Sequence, residues 1–248
     1  MTIARSLRAL AAIFLASTSL AAQAETLIVV ADEWPPFSGE NLPNKGLSLD
    51  IITTALERAG YDVETRILPW ARIISGVKSF EHDIVGSLFY DRELEQFLRY
   101  GDAYYQTEIK FVQRQGGEIN YSSLDDLRPY SIVVGDGFLY EEKFDRSDDL
   151  NKIVVTTALQ GVQMVAHGRA DLTLDSVEVI NYAKKVQDRA LADLVEFLSK
   201  PLAARELRFA IRNDLPKGER LVFDFNQSIR EMRADGSLAR LIDRHDYK

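Results

Sequence analysis

The chain has 248 residues, 46% of them hydrophobic, with 38 acidic against 30 basic side chains and no cysteine. That is enough apolar material for one large domain or two small lobes, and a formal charge of −8 argues against nucleic acid and anionic membrane surfaces as partners. The absence of cysteine excludes disulfides, thiolate metal sites, cysteine nucleophiles and a lipid-modified cysteine anchor.

The chain opens with Arg5 and Arg8, an apolar stretch from Ala9 to Leu20, and the small-x-small site Ala22-Gln23-Ala24. This pattern is an export signal spanning residues 1–24, its apolar core too short to cross a bilayer, and a periplasmic protein cut after Ala24 is expected. Leu27–Ala31 reads as a strand running into Asp32-Glu33-Trp34-Pro35-Pro36-Phe37, a loop rigid enough to present Trp34 as a ligand shelf. Leu49, Ile51, Ile52, Ala55, Leu56 and Ala59 mark a helix face closed by Gly60. A strand over Val63–Leu68, a helix opened by Pro69 and running through Val77, and a strand over Asp83–Ser87 complete a βαβαβ unit.

A second unit follows. Strands are expected over Ile109–Gln113, Ser131–Val134 and Leu172–Leu174, with Ser123 and Thr157 as helix caps and Gly168 as a helix stop. A helix over Val177–Lys185, a strand over Leu207–Ile211 and a helix opened by Pro216 come next. The apolar face of that last helix would hold Leu221, Phe223, Phe225, Ile229 and Met232, with Gly236 ending it and Ser237 capping a final short helix. Alternating strands and helices indicate an α/β architecture with largely parallel sheets.

Three features stand at strand ends, where ligands gather in such sheets: Arg92, Asp175 and the loop around Trp34. A guanidinium fork suits a carboxylate and an Asp suits an ammonium, so one on each unit would grip both ends of an α-amino acid. Each has a plainer reading. Arg92 could pair with Asp91, Glu93 or Glu95, Asp175 could complement a helix dipole, and Trp34 and Trp70 could be core. The histidines His82, His167 and His245 lack metal-ligand spacing, so no metal and no other cofactor is expected.

Four stretches carry a resemblance to a known family: Val29-Val-Ala-Asp-Glu-Trp-Pro-Pro-Phe37, Gly46-Leu-Ser-Leu-Asp50, Gly86-Ser-Leu-Phe-Tyr-Asp-Arg92 with Tyr100-Gly-Asp-Ala-Tyr-Tyr105, and Gly168-Arg-Ala-Asp-Leu-Thr-Leu-Asp175. In order and spacing they resemble the periplasmic solute-binding proteins of the polar-amino-acid type. The resemblance implies a two-lobed type II periplasmic-binding fold, with lobe one over residues 25–106 and 213–248, lobe two over 107–212, and hinge crossings near Gln106 and Arg212. It implies a small amino-acid-like ligand, held at its carboxylate by Arg92, at its ammonium by Asp175 and along its body by Trp34. Glu33, Trp70, Phe89 and Phe138 would shape specificity. The family's Thr-x-x-Arg is replaced here by Tyr90 and Asp91 before Arg92, which leaves Ser87 as the nearest hydroxyl. At Gly137-Phe138 the family's Ser or Thr is also gone, leaving two backbone N–H groups. A monomer serving an ABC transporter permease, or alternatively reporting to a sensor, is expected. The resemblance also allows an enzyme, since Glu178 stands three residues after Asp175 as in cyclohexadienyl dehydratases.

Overall fold

The computed structural model describes residues Thr26–His245, so the export signal expected at residues 1–24 lies outside the described residues. The first unit forms much as its pattern predicts. Strand β1 (Thr26–Ala31) pairs in parallel with β2 (Asp62–Ile67) and β3 (Ile84–Phe89). Helix α1 (Leu47–Arg58) and helix α2 (Trp70–Lys78) make the crossovers between them. On α1 the residues Leu49, Ile51, Ile52, Ala55 and Leu56 are fully buried, the i, i+3, i+4 stripe of a helix laid on a sheet.

Short strand β4 (Leu98–Tyr100) then leads into β5 (Tyr105–Arg114), the first crossing. The second unit consists of β6 (Ser131–Gly135), α3 (Glu142–Asp145), β7 (Asn151–Val155), α4 (Ala158–Ala166), β8 (Leu172–Ser176) and α5 (Val177–Tyr182). Strand β6 runs parallel to both β7 and β8. Thr157 caps α4 as expected, its side chain accepting the Gln160 N–H.

The return crossing is β9 (Val195–Arg212), an 18-residue strand antiparallel to β5 along much of its length. The pattern shows only its last part, because Pro201, Ala203 and Ala204 break the apolar alternation. The sheet accommodates Pro201 beside a register shift, where the ladder steps from Ile109–Ala203 to Lys110–Pro201. From Leu207 to Ile211 the strand already pairs with β3. A single path of strands therefore joins both units, in the order β2-β1-β3-β9-β5-β8-β6-β7, with β4 against β9.

Helices α6 (Gly218–Ala234) and α7 (Ser237–Arg244) finish the chain by packing back on α1. Three expectations need correction here. Phe223 is 57% exposed, because Leu221, Phe225, Ile229 and Met232 recur at helical spacing and residue 223 lies across the helix from them. Helix α6 starts at Gly218 rather than at Pro216. Ser237 is the first residue of α7, not its cap; the Asp235 carboxylate accepts its N–H at 2.7 Å. No helix among the described residues is long and apolar enough to cross a membrane.

Candidate functional site

The floor of the site comes from strand ends of the first unit. Asp32 and Trp34 follow β1, Trp70 opens α2, and Ser87, Leu88 and Phe89 end β3. Consecutive strand residues normally face opposite sides of a sheet, yet these last three line one cavity. A register shift between Val85 and Leu88 accounts for it, with buried Ser87 in the left-handed region at φ 58°. The Ser38 hydroxyl donates to Ser87 Oγ at 3.3 Å.

The roof is the turn after β6. Gly137 sits at φ +70°, a conformation glycine adopts without strain, and a Cβ there would lie 3.7 Å from Trp70 of the opposite unit. Phe138 reaches across so that its ring centroid lies 6.5 Å from that of Trp34. Trp34 in turn meets Phe89 edge-on at 5.3 Å and Phe37 at 4.8 Å. Between floor and roof lies a narrow cavity of about 50 Å³ lined by Trp34, Trp70, Phe89 and Phe138 with Asp32, Asp91, Leu94 and Leu139. A wider hollow of about 590 Å³ adjoins it, sharing Asp32, Trp70, Gly137 and Phe138 and adding Glu33, Asp136 and Thr156.

The electrostatics of this cleft are one-sided. Asp32 is 8% exposed, and burial above all pushes its carboxyl up to about 7, opposed by its own backbone N–H. Among the described residues no side chain hydrogen-bonds it. Asp175 is buried too and also pushed up to about 7, chiefly by desolvation. The Ser176 N–H, 2.7 Å from Asp175 Oδ1, and the neighbouring Trp34 indole favour its charged form, whereas Asp32 and Glu178 oppose it. The indole N–H lies near that carboxyl without reaching full hydrogen-bond geometry, and Nε1 is buried without a partner atom.

The sequence candidates are therefore brought together only in part. Trp34, Trp70, Ser87, Phe89, Gly137 and Phe138 converge on the narrow cavity, and Glu33 reaches the wider one while accepting the Glu40 N–H. Asp175 lies next to Asp32 in charge contact but does not line either cavity. Arg92 is exposed and also lines neither; Asp91 and Leu94, on either side of it in the turn, face the cleft instead. Of the two backbone N–H groups expected to be free, that of Phe138 closes its own turn on the Gly135 carbonyl at 3.3 Å.

Sequence reasoning missed Asp32 and Arg205. Asp32 had the available signal, since it is the first residue past β1 at the same sheet edge as Trp34. Arg205 had none, because it lies inside β9, where no strand was expected. Its guanidinium stacks on the Phe89 ring at 4.7 Å and donates to the carbonyls of Tyr90 and Tyr140, one from each unit. Glu178 faces away from this cleft. It accepts from Tyr105 Oη at 2.8 Å and from the Thr107 hydroxyl, both on β5, beside a separate hollow of about 310 Å³. Among the described residues no group of three or more His, Cys, Asp or Glu is arranged to hold a metal ion.

The model of the bacterial extracellular solute-binding proteins, family 3, matches residues 27–246. The arginine-binding extracellular protein ArtP of Bacillus subtilis is 25% identical over 221 residues, covering 84% of this chain and 81% of its own. A histidine kinase sensor domain with similarity to periplasmic binding proteins superposes with a TM-score of 0.76 at 17% identity, covering 89% of this chain and 96% of that domain. The substrate-binding protein of an amino acid ABC transporter superposes with a TM-score of 0.73 at 18% identity, covering 90% of this chain and all of that one. The fold is thus the two-lobed type II periplasmic-binding fold.

Proposed function

The chain belongs to the bacterial extracellular solute-binding proteins, family 3, and from that premise we propose that it captures a small polar ligand, an amino acid or close relative, between two closing lobes. The observation that carries this reading is the cleft itself: an aromatic floor from one unit, a Gly137-Phe138 roof from the other, and between them a buried Asp32 with no side-chain partner among the described residues. Lobe one comprises the β1–β3 unit with α6 and α7, and lobe two the β5–β8 unit. They turn about β5 and β9 near Gln106 and Glu206, which pair directly. Trp34, Trp70, Phe89 and Phe138 enclose the ligand body, and Asp32, backed by Asp175, meets its positive end.

The protein works in the periplasm as a monomer and hands its ligand to an ABC transporter. ArtP and the transporter-associated structure support that role, and the sensor-domain likeness supports a reporting role on the same fold. The dehydratase alternative finds less support, since Glu178 is engaged by Tyr105 and Thr107 and lies outside both cleft cavities.

A thermal-shift panel of amino acids, polyamines and small acids tests the proposal. A ligand at about 100 times its dissociation constant adds about 2.7 kcal/mol of stability. Small-angle scattering with that ligand should then show a smaller radius of gyration. An unchanged profile at saturation would refute lobe closure.

A further inference from the structure

We infer that this site recognises the ammonium end of its ligand alone, and that the ligand is an elongated organic amine without a carboxylate; the inference rests on the binding-protein reading above. The two adjoining cavities are lined by four carboxylate residues, Asp32, Glu33, Asp91 and Asp136, and by no Lys, Arg or His. A ligand carboxylate would enter a wall of acidic groups with no cation to meet it.

The two arginines that could have supplied one are engaged or misplaced. Arg92 is exposed and lines neither cavity. Arg205 lines neither cavity; it stacks on the Phe89 ring and donates one N–H each to the carbonyls of Tyr90 and Tyr140. The residue of the Arg92 turn that does form cavity wall beside Asp91 is the apolar Leu94.

The same geometry suits an amine. Asp32 is buried, has no side-chain partner among the described residues, and lines both cavities where they join. Burying a carboxyl without a partner is costly, and an incoming ammonium is the group that removes that cost. Trp34, Trp70, Phe89 and Phe138 line the same space, and aromatic rings attract a cation through their quadrupoles. The narrow cavity takes the cationic head, and the wider one, running from Trp70 to Asp136 and Thr156, takes the chain and any second amine.

Isothermal titration of the mature protein with matched probe pairs decides the matter: agmatine against arginine, cadaverine against lysine, histamine against histidine, phenethylamine against phenylalanine. In at least one pair the amine should bind about tenfold or more tighter than its amino acid, since the added carboxylate meets only like charge. Asp32→Asn should weaken that amine by at least about 30-fold, the usual consequence of removing one partner of a buried charged contact. Asp136→Asn, at an exposed wall position, should weaken a diamine by a few fold and its monoamine less. If every amino acid binds tighter than its amine, the inference is overturned while the binding-protein reading stands. If neither series binds at millimolar concentration, both are overturned.

Discussion

Carboxylates stand on both sides of the strands that join the lobes, and their surroundings differ. On the α5 side Glu178 and Asp50 have partners. Glu178 accepts from Tyr105 and Thr107, and Asp50 accepts from His245 Nε2 at 2.8 Å and Asn44 at 3.1 Å. On the cleft side Asp32 has no side-chain partner among the described residues, and Asp175 has one firm backbone donor. Acids with partners fasten the fold together; acids held buried without them are a standing cost to the fold, which is the mark of a group reserved for a ligand.

The largest break in that comparison should come from the aromatic floor. Trp34 is 6% exposed and packs on Phe37, Phe89 and Phe138, so Trp34→Ala should cost about 3–5 kcal/mol of stability and remove ligand binding together. Denaturant melts alongside titration would measure both. A stable, fully binding variant would mean that the ring is not the floor.

A smaller effect comes from pH. Asp32 and Asp175 each have a carboxyl raised from 3.8 to about 7 in the folded state. Between those values the folded protein holds more protons than the unfolded one, so these two groups make stability fall as pH rises from about 4 to about 7 and level off above that. The ligand-free protein should therefore be more stable at pH 6 than at pH 8, by on the order of 2 to 3 kcal/mol from this pair. Asp32→Asn should flatten the profile. A wild-type protein equally stable at both values, with the variant unchanged, would contradict the burial of these acids.

Glu178→Gln tests the opposite side. Losing the charge-assisted bonds from Tyr105 and Thr107 should cost about 1–2 kcal/mol in a thermal melt. Affinity should change by no more than a few fold, because the site lies elsewhere. A collapse of affinity with little loss of stability would exchange the roles given to the two acids. The smallest effect belongs to Arg92→Ala, which should shift stability by less than about 1 kcal/mol and leave amine affinity near wild type. Loss of all binding in that variant would restore Arg92 as a clamp.

The fold was legible where residues repeat at a regular period. The α1 stripe and the α6 stripe state their buried faces in the sequence, apart from Phe223, whose apolar character says nothing of direction. Strand β7, at the sheet edge with Val154 61% exposed, and the proline-containing middle of β9 have no such period. The site was legible as a set of strand ends, which identifies Trp34, Ser87, Phe89 and Phe138. The turn that carries Arg92 was not, because which of its residues faces inward depends on the irregular backbone at Ser87. Asp32 was hidden by its neighbour, the more conspicuous Trp34.

The path of the chain has a consequence for synthesis. Strands β5 through β8 follow one another without interruption, and the β9 segment that borders β5 comes next. The β1–β3 half is made first, yet its core includes Leu221, Phe225, Ile229, Met232, Leu238 and Leu241 from the last two helices. As the chain emerges, the later half acquires its full set of strands while the earlier half still lacks part of its interior. The first-made lobe is therefore the last to close, and it carries an exposed apolar α1 face until then, a face for a chaperone to cover.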